Sequence, residues 1–483
     1  MSLSKKRWQN YIGGGWRNPV DGDWIAIEDP ATAEPAFSAP RGQKADIDAA
    51  VDAARKAIDS RAVYEMAPHD RMILLLKVAA ELRKMTDEIA PVITVENGKS
   101  ISLARDEVED AARYFEYYAG ACDKLQGDTI PLDDGHLAYT VLEPIGVCAQ
   151  IVPWNYPIST TARALAPALA AGCAVVVKPA ETTPLTALLL ADLLSQAGLP
   201  AGACNVVTGT GADAGAPLVA HPGVDHVTFT GSVATGIGVM QSAATHVASV
   251  VLELGGKSPA VVFADCDLEA TLDSVFGAIY ENAGQICSAG SRLVIARAVH
   301  DQFVERLAQR ARALTLGHGL RDPGLGPVNS AAQQARIDGH VRRARERGVT
   351  VLTGGRACAD PATGQGWFYE PTILDAVPAT DEAVQAEIFG PVLTVQVFDD
   401  ADEALRLANG TDYALVAGVF TRDFATAHRF ARDLDAGQVY INEYFAGGIE
   451  VPFGGNRRSG FGREKGLEGL RSYCRTKSVA ARI

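Results

Sequence analysis

Cys287 stands in the segment Gly284-Gln285-Ile286-Cys287-Ser288-Ala289-Gly290, after a helical pattern and before a β-branched run. Side chains where elements end can face a cleft, and a thiolate there is a nucleophile for a carbonyl carbon. Free cysteines are also common packing residues, so the thiol alone leaves both readings open. Glu253 lies in the apolar run Val251-Leu252-Glu253-Leu254, followed by Gly255, Gly256 and Lys257. A carboxylate in a buried strand costs on the order of several kcal/mol unless paired or protonated. The raised pKa that results suits a general base, whereas a strand end in solvent would carry no chemistry. The two glycines would let backbone or ligand approach closely. Asn155 falls in Val152-Pro153-Trp154-Asn155-Tyr156-Pro157, a strand-to-helix turn fixed by prolines. Its amide either caps the helix or donates to an oxyanion.

Three further turns carry groups suited to a nucleotide. Lys178-Pro179-Ala180-Glu181 closes a strand and offers a donor and an acceptor for ribose hydroxyls, with a surface salt bridge as the alternative. Thr208-Gly209-Thr210-Gly211, with Gly215, resembles a phosphate-binding turn without the G-x-G-x-x-G spacing. Phe229-Thr230-Gly231-Ser232, with Gly236, ends a strand and opens a helix whose free N–H groups could hold a pyrophosphate.

The elements that must position these residues follow from the apolar periodicity. Helical spacing is predicted over Lys44–Ser60, Asp70–Ile89 and Ala104–Cys122. From Val147 short apolar runs alternate with helical stretches. The strands are predicted near Val147–Val152, Cys173–Lys178, Cys204–Val207, Val227–Thr230 and Val250–Leu254. Helices are predicted at Ile158–Ala171, Pro184–Ala197, Ala212–His221 and from Val233 to about Thr245. Runs such as Ala174–Val177 are continuous and β-branched, as in strands buried on both faces of a parallel sheet. A second series begins near Pro259, with strands at Ala260–Phe263, Arg292–Ile295, Leu393–Val397, Val416–Phe420 and Gln438–Ile441. Its helices are expected at Leu268–Asn282, His300–Leu314, Ala401–Leu407 and Phe424–Asp435. Gly317–Pro327 and Ala359–Gly366 read as loops. The expected fold class is α/β with two doubly wound domains, joined near Leu254–Pro259.

Composition narrows the partners. The chain has 483 residues and a net charge of −14, from 44 basic and 58 acidic residues. That balance argues against a nucleic-acid or anionic-membrane partner, because phosphate binding needs clustered cations. The short basic cluster Arg457-Arg458, with Arg463 and Lys465, reads as a solvated surface. Eight cysteines without a CxxC pair are expected to be free thiols, as in a reducing cytoplasm. The segment Met1–Trp8 has no apolar run after its basic residues and does not read as a signal peptide. No apolar stretch reaches the ~18–20 residues needed to span a membrane. No metal site is expected.

In order along the chain, Pro153-Trp154-Asn155, Lys178-Pro179-Ala180-Glu181, Phe229-Thr230-Gly231-Ser232, Glu253-Leu254-Gly255-Gly256-Lys257 and Gly284-Gln285-Ile286-Cys287 resemble the aldehyde dehydrogenase superfamily. Glu387-Ile388-Phe389-Gly390-Pro391 and Pro452-Phe453-Gly454-Gly455 continue the match, so the resemblance covers nearly the whole chain. It implies a non-acylating NAD(P)-dependent enzyme of the betaine, succinate-semialdehyde and general aldehyde class. Cys287 would be the nucleophile, Asn155 and the Cys287 N–H the oxyanion hole, and Glu253 the activator of water, with Lys178 counted beside them. Ile151, Val152, Pro153, Trp154, Leu254 and Gly255 would line the cofactor cleft. Lys178 and Glu181 would hold the adenosine ribose, with Gly211, Gly215 and Phe229 nearby. Gly231 and Ser232 would meet the pyrophosphate, and Glu387 with Phe389 the nicotinamide ribose. Family members often carry Thr where Val233 follows Ser232, a loss of one hydroxyl that leaves Gly231 and Gly236 in place.

The resemblance also divides the chain. Residues 1–121 and 145–254 would form the NAD(P)-binding domain, 255–452 the catalytic domain, and 122–144 with 467–483 a β oligomerisation arm. An exposed β-arm is rarely stable alone, so a homodimer or homotetramer is expected. Glu181 favours NAD, since a carboxylate accepts from a ribose 2′-OH and repels a 2′-phosphate, although relatives with Glu there also use NADP. Arg163, Tyr156, Phe445 and Glu281 would shape the tunnel for a small aldehyde. Semialdehyde relatives carry Arg at the Arg163 position, but their second Arg is replaced by Glu281, so the substrate's charge stays open; a salt bridge is the plain reading of Arg163. Two other functions remain: a CoA-acylating relative, which typically lacks the Glu253 carboxylate, and a catalytically retired binding protein.

Overall fold

The β-branched runs form strands buried on both faces, and their order places the functional turns together. In the computed structural model, which describes residues 7–483, five parallel strands lie in the order Cys204–Val206, Ala174–Lys178, Val147–Ile151, His226–Thr230 and Ser249–Glu253. The order reverses between Val147–Ile151 and His226–Thr230. The crevice outside the carboxyl ends at such a reversal is where open α/β sheets bind ligands. Asn10–Ile12 and Gly15–Arg17 extend one edge antiparallel, and Gly460–Phe461 closes the other against Ser249–Glu253. Met1–Lys6, most of the segment read above as no leader, lie outside the described residues.

The helix Pro157–Ala171 is buried almost throughout, with Ser159, Thr160 and Arg163 turned to the cavity and the rest mostly apolar. Pro157 opens it, where a missing N–H costs nothing, and Gly172 ends it at φ 95°. These two stops fix where Asn155 and Tyr156 leave the strand.

A second sheet runs Thr350–Thr353, Thr372–Asp375, Val392–Phe398, Arg292–Ala296, Pro259–Val262, Val416–Phe420 and Gln438–Ile441, parallel except for its first strand. Alternate residues feed opposite faces. Ala260, Val262, Leu293 and Ile295 join one apolar cluster, whereas Val261 and Val294 join another beneath Ala401–Ala408 and Phe424–Asp433. Both sheets are therefore doubly wound, in the expected α/β class.

Some local readings change. The helix predicted at Asp70–Ile89 is Pro68–Lys84 followed by a new helix, Thr86–Asn97. The one predicted at Ala212–His221 is a wide turn, Gly211–Gly215, and a short helix, Ala216–Val219. The helix before Cys287 stops at Tyr280 rather than Asn282, because Asn282, Ala283 and Gly284 all take positive φ. A three-stranded antiparallel sheet joins Thr129–Ile130, His136–Pro144 and Cys474–Arg482. Gly466–Arg471 ahead of it is helical, with Leu470 in the core of the first sheet. The eight cysteines form no disulfide. Among the described residues no helix is long and apolar enough to cross a membrane.

Candidate active site

The strand-to-strand path through Cys287 is bent by three successive left-handed residues, Asn282 (φ 48°), Ala283 (φ 54°) and Gly284 (φ 69°). Each non-glycine residue held there costs about 1–3 kcal/mol, and such strain survives only where surroundings over-determine it. They do so here. A Cβ on Gly284 would lie 2.1 Å from the Gly390 carbonyl oxygen. Gln285 Nε2 donates to Asn282 O at 3.0 Å, and Gln285 Oε1 accepts from Asn329 N at 2.9 Å. The bend puts half-buried Cys287 where two cavities meet. One, about 170 Å³, is lined by Asn155, Tyr156, Arg163, Tyr440, Phe445, Phe453 and Lys465. The other, about 130 Å³, is lined by Pro153, Trp154, Gly231, Ser232, Glu253, Leu254, Gly255, Glu387 and Phe389.

Asn155 is 6% exposed and donates one Nδ2 hydrogen to Gln285 O at 2.9 Å, which leaves the second for a ligand. Its backbone oxygen is held from two sides, by Lys99 Nζ at 2.9 Å and Asn282 Nδ2 at 3.0 Å. Lys99 is paired with Glu107 at 2.5 Å, both side chains at 0% exposure, and lies 3.7 Å over the Tyr156 ring. The other Glu107 oxygen accepts from Ile158 N and Ser159 N at 3.0 and 3.2 Å. That places an anion on the first turn of Pro157–Ala171, the favoured end of a helix. Burial pushes the Lys99 pKa down and that of Glu107 up, each opposed by its partner.

Glu253 ends its strand 2% exposed, with neither carboxylate oxygen hydrogen-bonded. Burial, then repulsion from Glu464, pushes its pKa well up, against the pull of Arg163, Arg463 and Lys465. A Cβ on Gly454 would come within 2.5 Å of Glu253 Oε1, so glycine there makes the room the carboxylate occupies. Burial pushes the Cys287 thiol up to about 11; Arg163 pulls it down, while Glu253 and Glu387 push it further up. Arg163 is paired with Glu464 and donates to Thr230 Oγ1 at 3.2 Å. Burial opposes its charge, but Glu464, Tyr114 and Glu253 hold its pKa above the ordinary guanidinium value.

On the second cavity, Gly256 N donates to Glu387 Oε1 at 3.1 Å, and burial pushes Glu387 up to about 7. A Cβ on Gly255 would fall 2.1 Å from Glu387 Oε2, so glycine there leaves the Glu387 carboxylate its place. Phe389, at φ 58°, meets the Trp154 ring edge-on at 5.3 Å. Ser232 caps Val233–Ala243, and Lys178 Nζ lies 3.2 Å from Glu181 Oε2 at the neighbouring strand end.

Not every expected residue reaches Cys287. Lys178, Glu181, Ile151, Val152, Gly211, Gly215 and Phe229 line neither cavity. Lys178 therefore pairs with Glu181, apart from Cys287, and Phe229 is buried against Gly231. Tyr156, Arg163 and Phe445 line the first cavity, whereas Glu281 sits behind it and accepts from the Tyr156 hydroxyl at 2.9 Å. Lys99, Glu107, Glu464 and Lys465 escaped the sequence reading. So did Gln333 and Arg336 on the helix Ala331–Glu346, whose buried face is the short series Gln333, Ile337, Val341 and Ala344. The available signals were Asn97-Gly98-Lys99, where Gly98 takes φ 99°, and the charged run Arg463-Glu464-Lys465.

The chain was compared with known proteins on this footing. The sequence profile of the Aldehyde dehydrogenase family matches residues 16–479. The betaine aldehyde dehydrogenase of Bacillus subtilis is 39% identical over 95% of this chain and 96% of its own length. The (Z)-2-((N-methylformamido)methylene)-5-hydroxybutyrolactone dehydrogenase of Acinetobacter baylyi is 40% identical over 99% of this chain and 97% of its own length. The NAD+ complex of an aldehyde dehydrogenase from Bacillus cereus superposes with a TM-score of 0.97 at 38% identity, covering 99% of this chain and 97% of that one. A betaine aldehyde dehydrogenase from Staphylococcus aureus, solved with NAD+ and a β-mercaptoethanol-modified cysteine, gives 0.96 at 35%, over 98% and 97%. With its folds, its paired cavities and these matches along nearly its full length, the chain belongs to the aldehyde dehydrogenase family.

Proposed function

We propose that the chain oxidises a small aldehyde to a carboxylic acid with NAD+ as acceptor, through a thioester on Cys287 that water cleaves. The observation that carries this reading is Cys287 at the junction of two cavities, with a spare Asn155 N–H on one side and the unpartnered Glu253 carboxylate on the other. The residues of the second cavity suit the nicotinamide ribose and pyrophosphate of NAD+ on their own evidence. Gly255 makes room for the Glu387 carboxylate, which presents an acceptor for ribose hydroxyls, and Ser232 opens a helix N-terminus for phosphate. Glu181, half-exposed beside Lys178, would accept from the adenosine 2′-OH and repel a 2′-phosphate, which favours NAD over NADP.

Cys287 Sγ, once deprotonated, adds to the carbonyl carbon of the aldehyde. The negative oxygen that results is met by Asn155 Nδ2–H and the Cys287 N–H, donors fixed before charge develops. NAD+ supplies the acceptor for the hydride that leaves this carbon. The carbon is then a thioester of Cys287, so one difficult oxidation is split into two steps. Glu253 takes a proton from the attacking water, the C–S bond breaks, and the electron pair returns to Sγ as the acid leaves.

The arm formed by Thr129–Ile130, His136–Pro144 and Cys474–Arg482 exposes Ile130, Leu137 and Tyr139, which fits a homodimer or homotetramer built through it. Residues 1–121 with 145–254, and 255–452, are proposed as the two domains. Eight free thiols fit a reducing cytoplasm. The test is rapid quench with an aldehyde and NAD+. Cys287→Ala should fold and make no NADH, and Glu253→Gln should accumulate the acyl-enzyme. NADH turnover by Cys287→Ala, or no acyl-enzyme in Glu253→Gln, would end this reading.

A further inference from the structure

Lys465, read from sequence as part of a solvated basic cluster, instead lines the cavity that opens on Cys287. It is half-buried at φ 59°, a left-handed conformation that costs a lysine about 1–3 kcal/mol and tends to be kept where it serves a site. A surface lysine normally carries its ammonium out to water along its flexible stem. Here Nζ lies 5.2 Å from the centre of the Phe453 ring and forms no hydrogen bond or ion pair among the described residues. Burial lowers its pKa, with Arg163 adding to the effect and Asp110, Cys287 and Glu464 opposing it.

Glu464, Asp110, Arg163 and Glu253 carry the charges that bear on Lys465, and none of the carboxylates is ion-paired with its Nζ. Glu464 is held by Arg163. Asp110 lines the same cavity from Ile101–Ala119; part of its surface meets solvent, yet burial of its carboxyl raises its pKa against the pull of Lys465 and then Arg113, and it forms no ion pair with Lys465. The cavity therefore contains one desolvated ammonium that lacks an acceptor, a state that favours binding an anion. A cationic aldehyde finds the opposite. Phe453, an aromatic face it could stack on, already carries Lys465 at 5.2 Å and Arg163 at 5.8 Å. The volume, about 170 Å³, lies below the ~300 Å³ at the small end of ordinary ligand pockets, so the substrate is short.

We propose that Lys465 is a specificity-determining residue that binds a carboxylate at the far end of a short aldehyde, so that the product is a dicarboxylate. This deepens the dehydrogenase reading above and rests on it for the aldehyde end. It sets the chain apart from the relatives named for betaine aldehyde and aminoaldehydes, whose named substrates are cationic or amine-bearing.

The test compares 4-oxobutanoate and 5-oxopentanoate with butanal, pentanal and 4-aminobutanal, using the NAD+-loaded wild type, Lys465→Met and Lys465→Arg. Glutarate binding is measured by calorimetry in parallel. Wild type should favour the carboxylated aldehydes in kcat/KM. Lys465→Met should cut the carboxylated-to-neutral ratio about ten- to hundredfold, the worth of a charged hydrogen bond. Lys465→Arg should keep it within about threefold. Glutarate should bind wild type and weaken by a similar factor in Lys465→Met. Wild-type preference for butanal or 4-aminobutanal, a ratio that moves less than about threefold in Lys465→Met, or equal glutarate binding by both would overturn the proposal. Lysine-dependent glutarate binding without turnover of any aldehyde would support Lys465 and instead overturn the dehydrogenase reading.

Discussion

Lys99 offers the sharpest separation of folding from catalysis, because one ammonium serves both. Its Nζ is 2.5 Å from Glu107 and 2.9 Å from the Asn155 carbonyl oxygen, and neither Lys99 nor Glu107 exposes its side chain. In Lys99→Met the Glu107 carboxylate is stranded in the interior. Breaking one side of a buried pair costs about 3–5 kcal/mol, against a total stability on the order of 5–15 kcal/mol. Lys99→Met should therefore melt far below wild type. Glu107→Gln in the same chain removes the second charge while its amide oxygen can still accept from Ile158 N or Ser159 N. Replacing a whole buried pair by neutral groups is often near neutral, so the double variant should regain most of the lost melting temperature. It should not regain turnover. Asn155 O then keeps only Asn282 of its two donors, and a displacement near 1 Å of a positioned group costs about 10²-fold. The expected result is kcat down about ten- to hundredfold with KM for NAD+ near wild type, read by thermal unfolding and steady-state NADH formation on all three chains. A double variant that melts no higher than Lys99→Met would refute the charge argument. One with wild-type kcat would show that the pair supports the fold without positioning Asn155.

Asn155→Ala should lose about 10²–10³ in kcat, the usual worth of one oxyanion donor; an unchanged rate in single-turnover kinetics would remove its amide from the hole. Glu253 acts as a base only when deprotonated, and burial and Glu464 raise its pKa. Thioester hydrolysis should therefore fall as pH drops through a pKa well above the ordinary ~4.3 for Glu, a limb that Glu253→Gln should lack; a limb at the ordinary carboxylate value would contradict the burial argument. Glu181→Ser removes the carboxylate beside Lys178, so the NADP-to-NAD ratio of kcat/KM should rise about tenfold or more, and a ratio that stays put would detach Glu181 from the ribose.

The sheets were legible because buried parallel strands are written as unbroken β-branched runs, as Ala174–Lys178 shows. Asn155 and Glu253 were legible because each ends or follows such a run, and Cys287 because it precedes one. What escaped depends on contacts between segments far apart in sequence. Lys99 reads as an ordinary surface lysine until the fold brings Glu107 and the Asn155 carbonyl to it. Lys465 sits in a charged run, and only the placement of Phe453 and Arg163 turns it inward. The end of the helix at Tyr280 was misjudged because Asn282 and Ala283 are not residues that announce positive φ. Tertiary contacts impose it, through the packing of Gly284 on Gly390.

The proposed roles of Cys287 and Glu253 also bear on each other through charge. Arg163 and Glu464 cancel as an ion pair, so Arg163 has little charge left to offset a Cys287 thiolate and a Glu253 carboxylate at the same time. Burial opposes ionisation of both Cys287 and Glu253, and the Glu253 charge raises the thiol pKa. Such repulsion is reciprocal, so a Cys287 thiolate likewise disfavours a Glu253 carboxylate. The two steps need the two anions at different times. Attack needs the thiolate while Glu253 is protonated or silent. Hydrolysis needs the carboxylate after sulfur has become a neutral thioester. Forming the thioester removes the negative charge that sulfur could carry, and with it one source of repulsion on Glu253. The chemistry of the first step thereby makes the base of the second step easier to ionise, with Arg163 fixed beside both by Glu464 and Thr230.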